Sequence, residues 1–219
     1  CRWNDVGIPE MCKMEWSAEN SFVKAMYSRI YFQIPIANVF IKESSDESMN
    51  DKGFTVEQQN EIRTYRAEAR FMRALSYYHA MDLFGNVPFV DETDPIGVFT
   101  PDQITRPDLF DWIEAELLSI EDDLLEPASV PYGRASKAAA QTLLGKMYLN
   151  AEVYTNNPRW DDCITYCNKV IDNGGFSLSP SYSELFMADN HTSSEIIFPV
   201  CFDGQYTQTW GGTTFLICA

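Results

Sequence analysis

Apolar residues recur at helical intervals along most of the first 175 positions. From about Ala18 to Ile41, the residues Phe22, Met26, Tyr27, Ile30, Phe40 and Ile41 fit one helix. Pro35 within it predicts a kink or a split, because proline lacks an amide donor and crowds the preceding turn. The polar run "KESSDESMNDKG" predicts a break, and residues 1–18 read as irregular. The clearest helix covers about 55–84. Thr55 can cap it and Gln58 can return the bond, while Gly85 and Pro88 follow its end. Ala67, Phe71, Ala74, Leu75, Tyr78 and Met81 form its apolar stripe, with Glu61, Arg63, Glu68 and Arg70 on another face. After a proline-rich connection, a third helix is predicted from about Pro107 to Leu125. Leu109, Phe110, Trp112, Ile113, Leu117, Ile120 and Leu124 are its apolar side, and Glu114, Glu116, Glu121, Asp122 and Asp123 read as a solvated face.

Two more helices are predicted in succession, at about 134–154 and 158–173. Ala138, Ala139 and Ala140 permit close approach, and Leu144-Gly145-x-x-Tyr148 is similar to the first helix of a tetratricopeptide repeat. The earlier helix echoes this at an offset of 70, Tyr78 answering Tyr148 and Phe84 answering Tyr154. The helices at 55–84, 134–154 and 158–173 are therefore expected to pack as antiparallel neighbours, with Tyr78, Leu144, Tyr148 and Ile164 buried. Beyond Gly175 the texture changes to loops, and "SSEIIFPVCFD" predicts a short strand. The fold class expected is mainly α, built on tetratricopeptide-like helix pairs with a short β segment near the C-terminal end. Residues 1–219 form one partial domain, with a helical core at about 18–175 and a loop-and-strand part at about 176–219.

Charge narrows the partners. Sixteen basic residues against 32 acidic ones leave a formal charge of −16, which repels phosphate backbones and anionic lipid and argues against nucleic acid. A neutral ligand such as a sugar is compatible with it. There is no apolar run long enough to span a bilayer. Six cysteines include no CxxC, and both histidines lie far from them in sequence, so zinc has little support. Cys163 and Cys167, one helical turn apart, read as small buried hydrophobes. Cys1 and Cys12 could close a loop around Trp3 in an oxidising compartment, a pairing that sequence leaves open. Both ends read as internal to a longer chain. The acidic run at 114–123 does not make a glycosidase pair, which needs buried or polarised carboxyls, and no acid–nucleophile motif is recognisable.

One stretch stands apart from this pattern. "TQTWGGTTFL" puts Trp210 on a polar turn before two glycines, where no apolar neighbour helps to bury it. The indole is either the lid of a small core or a flat surface held out for a ligand.

Five stretches then occur in a familiar order: "RAEARFMRALSYYHAMDLFGNVPFV", "YGRASKAAAQTLLGKMYLNAEVY", "YSELFMADN", "SEIIFPVCFDG" and "WGGTTFL". Together they resemble the SusD/RagB family of Bacteroidetes surface glycan-binding lipoproteins, its starch-binding members above all. The resemblance implies an all-α core and non-catalytic binding of polysaccharide, starch or malto-oligosaccharide first. It implies attachment to the outer membrane, surface-exposed, through an N-terminal lipid anchor absent from this chain, and delivery to a SusC-like TonB-dependent transporter. Its carbohydrate-binding residues carry over to Trp3 as a stacking aromatic, Asn4 or Asp5 as the hydrogen-bonding partner, and Trp210 as a second aromatic. Only one tryptophan stands in "CRWND" where the starch-binding members have two. Trp16, Trp112 and Trp160 are expected at structural helix positions. The family can hold calcium, but the loop after "MADN" is short here and His191 stands where an oxygen ligand would serve, so no metal or other cofactor is expected. The competing reading is a helical-repeat interaction scaffold of the same outer-membrane complex that binds no glycan itself.

Overall fold

The computed structural model describes residues 6–95, 97–187, 189–202 and 204–207. Its helices are α1 (Ile8–Lys13), α2 (Ser21–Glu43), α3 (Asp46–Asp51), α4 (Val56–Phe84), α5 (Arg106–Ile120), α6 (Lys137–Leu149), α7 (Ala151–Thr155) and α8 (Trp160–Asn173). The chain divides into two compact units, one of residues 33–199 and one of residues 1–32 with 200–219.

Local chemistry accounts for most helix boundaries. Thr55 caps α4 by accepting from the Gln58 amide while the Gln58 side chain accepts from the Thr55 amide, the reciprocal pair expected from sequence. Thr105 and Ser136 cap α5 and α6 in the same way, each accepting an amide three residues on. Ser45 does so for α3, which turns the expected polar break into a short helix. Similarly, the Gly-Ile-Pro stretch starts α1 instead of remaining irregular. Pro35 lies inside α2 and does not divide it. The helix expected at 134–154 does divide, at Asn150, whose backbone leaves helical geometry between α6 and α7.

Within residues 33–199 the side-chain pairs fix how the long helices run. Arg70 meets Glu116, Tyr77 meets Trp112, and Gly85 lies against Arg106, so α4 and α5 are antiparallel. Gln141 and Lys169 share Glu121, while Tyr148 and Arg159 share Glu114, so α6 and α8 are antiparallel as well. The pairing of α4 with α6 is different. Glu68 holds Arg134, Lys146 lies over the Tyr78 ring, and Tyr154 donates to Asp82, three contacts that ascend together along both segments. These two helices are parallel, not antiparallel as expected from sequence. They are the first helices of successive hairpins, α4–α5 and α6–α8, and the offset of 70 relates them.

Tyr77, Phe110, Ile113, Leu117, Leu144 and Tyr148 are the centre of this core. Tyr78 is buried too, as expected, but Ile164 is 58 % exposed. The α8 helix buries Tyr166 and leaves its isoleucine face to solvent, so Cys167 is exposed and Cys163 half-buried, not the core hydrophobes expected. Trp112 packs edge-on against Tyr77 and Phe89, whereas Trp160 is about half exposed and Trp16 lies outside any helix.

The strand expected from "SSEIIFPVCFD" is not formed by its described residues. β-Favouring side chains alone do not make a strand without an edge to pair with. The small sheet among the described residues falls instead in the proline-rich connection. There β1 (Val87–Pro88) pairs antiparallel with β2 (Gln103–Ile104), Val87 opposite Ile104.

In the other unit, Asn20 holds the turn before α1. Its side chain donates to the Gly7 carbonyl (2.9 Å) and to Glu10 (2.7 Å), and accepts from the Phe22 amide at the start of α2 (3.0 Å). Gly7 takes a left-handed φ of 96°, and a β-carbon there would come 2.9 Å from Ser21 Oγ.

Candidate functional site

Trp3, Asn4, Asp5 and Trp210 lie outside the described residues. The structure describes the chain that adjoins them. Beside Asp5, the Asn20 clasp and a hydrogen bond from Ser21 Oγ to the Val6 carbonyl (3.2 Å) hold the start of α1. On the approach to Trp210, the Gly204 amide donates to the Thr207 carbonyl (2.9 Å), and Thr207 Oγ1 donates to the Cys201 carbonyl. Both stretches belong to the unit of residues 1–32 and 200–219.

The acidic helix, read from sequence as a solvated face, is the polar seam of the repeat core. Glu116 is 8 % exposed and takes two hydrogen bonds from Arg70 and one from Arg73, whose own side chain is 2 % exposed. Arg73 also donates to Asn38 (2.8 Å) and to Glu92, and its guanidinium lies 5.1 Å from the Trp112 ring centre. Burial pulls the Glu116 carboxyl up, but hydrogen bonds from Arg70 and the charge of Arg73 outweigh it and hold the group below its ordinary value. Glu121 is likewise lowered, burial being outweighed by Gln141 and Lys169. A general acid needs a raised carboxyl. These two are held ionised, and they serve as anchors. Only Asp122 and Asp123 match the solvated reading.

This network also fixes the loop after β1. Tyr77 donates its hydroxyl proton to the Val90 carbonyl (2.7 Å) and accepts from the Val90 amide (2.8 Å), while Asn38 donates to the same carbonyl. Beyond it, Asp91 and Asp94 bind backbone amides of their own loop. A shallow cleft of about 180 Å³ lies there between Pro35, Asn38, Lys42, Asp91, Asp94 and Phe99. Its two aspartates already have internal partners, and nothing in it makes a nucleophile–base pair. His79 is pushed down by burial and by Lys146, which leaves the imidazole neutral near pH 7. Among the described residues, no group of three or more histidine, cysteine or acidic side chains is placed to hold a metal.

Sequence reasoning missed Arg73, Asn38 and Glu92. One signal was available: Arg73 lies four residues before Tyr77 and between Phe71 and Ala74, so a cation sits on the buried side of α4. A buried cation needs an acidic partner.

A family model described as starch-binding and associating with the outer membrane, the SusD-like group, matches residues 3–149. The starch-binding protein SusD of Bacteroides thetaiotaomicron is 36 % identical over 225 residues, covering 100 % of this chain and 38 % of the relative. The solved structure of a SusD-like carbohydrate-binding protein from Bacteroides fragilis superposes with a TM-score of 0.74 at 23 % identity, covering 88 % of this chain and 36 % of that one. A laminarin-binding SusD-like protein gives 0.76 at 22 % identity, over 94 % and 43 %. At these identities the structures speak for the fold alone. With the family model matching residues 3–149, well over half of its length, this chain belongs to the SusD-like family.

Proposed function

We propose that the protein containing this chain is a non-catalytic glycan-binding protein of the outer-membrane surface, with a starch-like glucan as its first ligand. In this reading it is a lipid-anchored lipoprotein that passes bound oligosaccharide to a SusC-like TonB-dependent transporter. The observation that carries the proposal is identity at 36 % over the whole chain to a protein named for starch binding, of which the chain spans 38 % of the length. Trp3 and Trp210 are assigned the two aromatic platforms, and Asn4 with Asp5 the hydrogen bonds to sugar hydroxyls. A pyranose has an apolar C–H face and a rim of hydroxyls, so a flat ring takes the face while amide and carboxylate groups take the rim. The glycines after Trp210 let the ligand come close to the backbone.

The test is calorimetric titration of malto-oligosaccharides into the complete protein, with laminarin and xyloglucan oligosaccharides in parallel. Trp3→Ala and Trp210→Ala should each weaken binding by roughly 1–3 kcal/mol, the scale of a well-placed aromatic contact. Their melting temperatures should change little, and no reducing ends should appear. Failure to bind any of these glucans would refute the function. Unaltered affinity in both tryptophan variants would refute the residue assignment.

A further inference from the structure

Asn20 does more than a helix cap requires. Its backbone carbonyl accepts from the Lys24 amide, and its side-chain oxygen accepts from the Phe22 and Val23 amides (3.0 and 3.4 Å), which together start α2. Serine, threonine or aspartate would supply that acceptor as well. Only asparagine adds an amide donor on so short a side chain, and Asn20 uses it across the turn. Its Nδ2 donates to the Gly7 carbonyl (2.9 Å) and to the Glu10 carboxylate (2.7 Å). The residue is 4 % exposed, so water is a poor substitute for either bond. Ser21 adds a bond from its Oγ to the Val6 carbonyl (3.2 Å). The turn held in this way is a constrained one. Gly7 takes a left-handed φ of 96°, and Val6 is left 86 % exposed. What the clasp holds still is the covalent neighbour of Asp5. Trp3 is three residues from Val6, a reach of at most about 11 Å.

We propose that Asn20 is a positioning residue for the glycan platform. By tying the Gly7 carbonyl and α1 to the first turn of α2, it fixes the direction in which Val6 hands the chain on to Asp5, Asn4 and Trp3. The proposal rests on the assignment of those residues to the ligand, and it adds a buried residue that acts on affinity through Trp3 without touching sugar. A flat ring contributes most when it is already held in place, because ordering a side chain or loop during binding costs affinity. The division of labour on Asn20 makes the role separable: its oxygen serves the helix and its nitrogen serves the turn.

The experiment compares the complete protein with Asn20→Asp, which keeps the oxygen that caps α2, removes the donor and sets a carboxylate against Glu10. Fluorotryptophan labelling gives each indole a fluorine signal, and that of Trp3 is the one missing from Trp3→Phe. In Asn20→Asp the Trp3 signal should narrow as the ring gains motion, while the other signals and the melting temperature stay close to those of the wild type. Affinity for malto-oligosaccharide, by calorimetric titration, should fall at least about fivefold, the low end of losing an aromatic contact. Because Asn20 acts through Trp3, adding Asn20→Asp to Trp3→Ala should weaken binding no further. Glu10→Gln in the Asn20→Asp background returns a donor to the pair and should recover most of the lost affinity. Ser21→Ala, which removes only the bond to Val6, should move the Trp3 signal in the same direction. A Trp3 signal indifferent to both Asn20→Asp and Ser21→Ala would overturn the proposal. So would a change shared by all the fluorine signals, or losses of affinity that add in the double variant. A Trp3 signal that responds as expected in a protein that binds no glucan would uphold the hold of Asn20 on Trp3 and refute the glycan reading instead.

Discussion

Replacing Glu116 by glutamine probes the buried centre of the repeat. The substitution keeps the shape and one acceptor oxygen but removes the charge that faces Arg73 and Arg70. Arg73 is 2 % exposed, so solvent cannot compensate, although Glu92 and Asn38 remain as partners. Breaking one side of a buried pair costs about 3–5 kcal/mol, and the remaining partners place Glu116→Gln near the lower figure of about 3 kcal/mol. In a domain of 150–250 residues a loss of that size lowers the melting temperature by roughly 6–12 °C, and by less in a longer protein. The effect carries a pH signature. The folded-state value of Glu116 lies below its ordinary 4.5, because Arg70 and Arg73 outweigh the opposing effect of burial. A depressed carboxyl stabilises the fold above the unfolded-state value and loses that contribution as pH falls through the folded one. The stability gap between wild type and Glu116→Gln should thus be full at pH 7 and narrow progressively below 4.5. Urea denaturation of the complete protein and the variant from pH 7 down to about pH 3 measures it. A gap below about 1 kcal/mol at pH 7, or one that does not change with pH, would refute the assignment of Glu116 as the counter-charge of Arg73.

Two further substitutions test local features. Thr55→Ala removes the acceptor of the α4 capping box and should cost about 1 kcal/mol in urea denaturation, with Thr55→Ser recovering most of it. Gly7→Ala forces a side chain into a left-handed φ of 96° and against Ser21 Oγ, and should cost about 1–3 kcal/mol; a neutral result would mean that the turn before α1 is not held as described.

What the sequence determined by itself was mostly short-range. Thr55 and Gln58 specify the start of α4 because a capping box involves only neighbours. Tyr78 and Tyr148 reveal the repeat because equivalent positions in the two hairpins carry the same side chain. The candidate residues Trp3, Asn4, Asp5 and Trp210 came from motif order, which does not depend on packing. Tertiary structure decided the features that need a distant partner. Glu114, Glu116 and Glu121 look like a solvated face until Arg159, Arg73 and Lys169 arrive from other helices. The β-favouring run at 193–203 finds no edge among the described residues, while the unpromising Pro88 and Gln103 find one another across a proline-rich loop. Periodicity also assigned Ile164 to a core, and here the reason is general. An apolar stripe states that a helix face needs cover; only the surrounding chain states whether that cover is already in place.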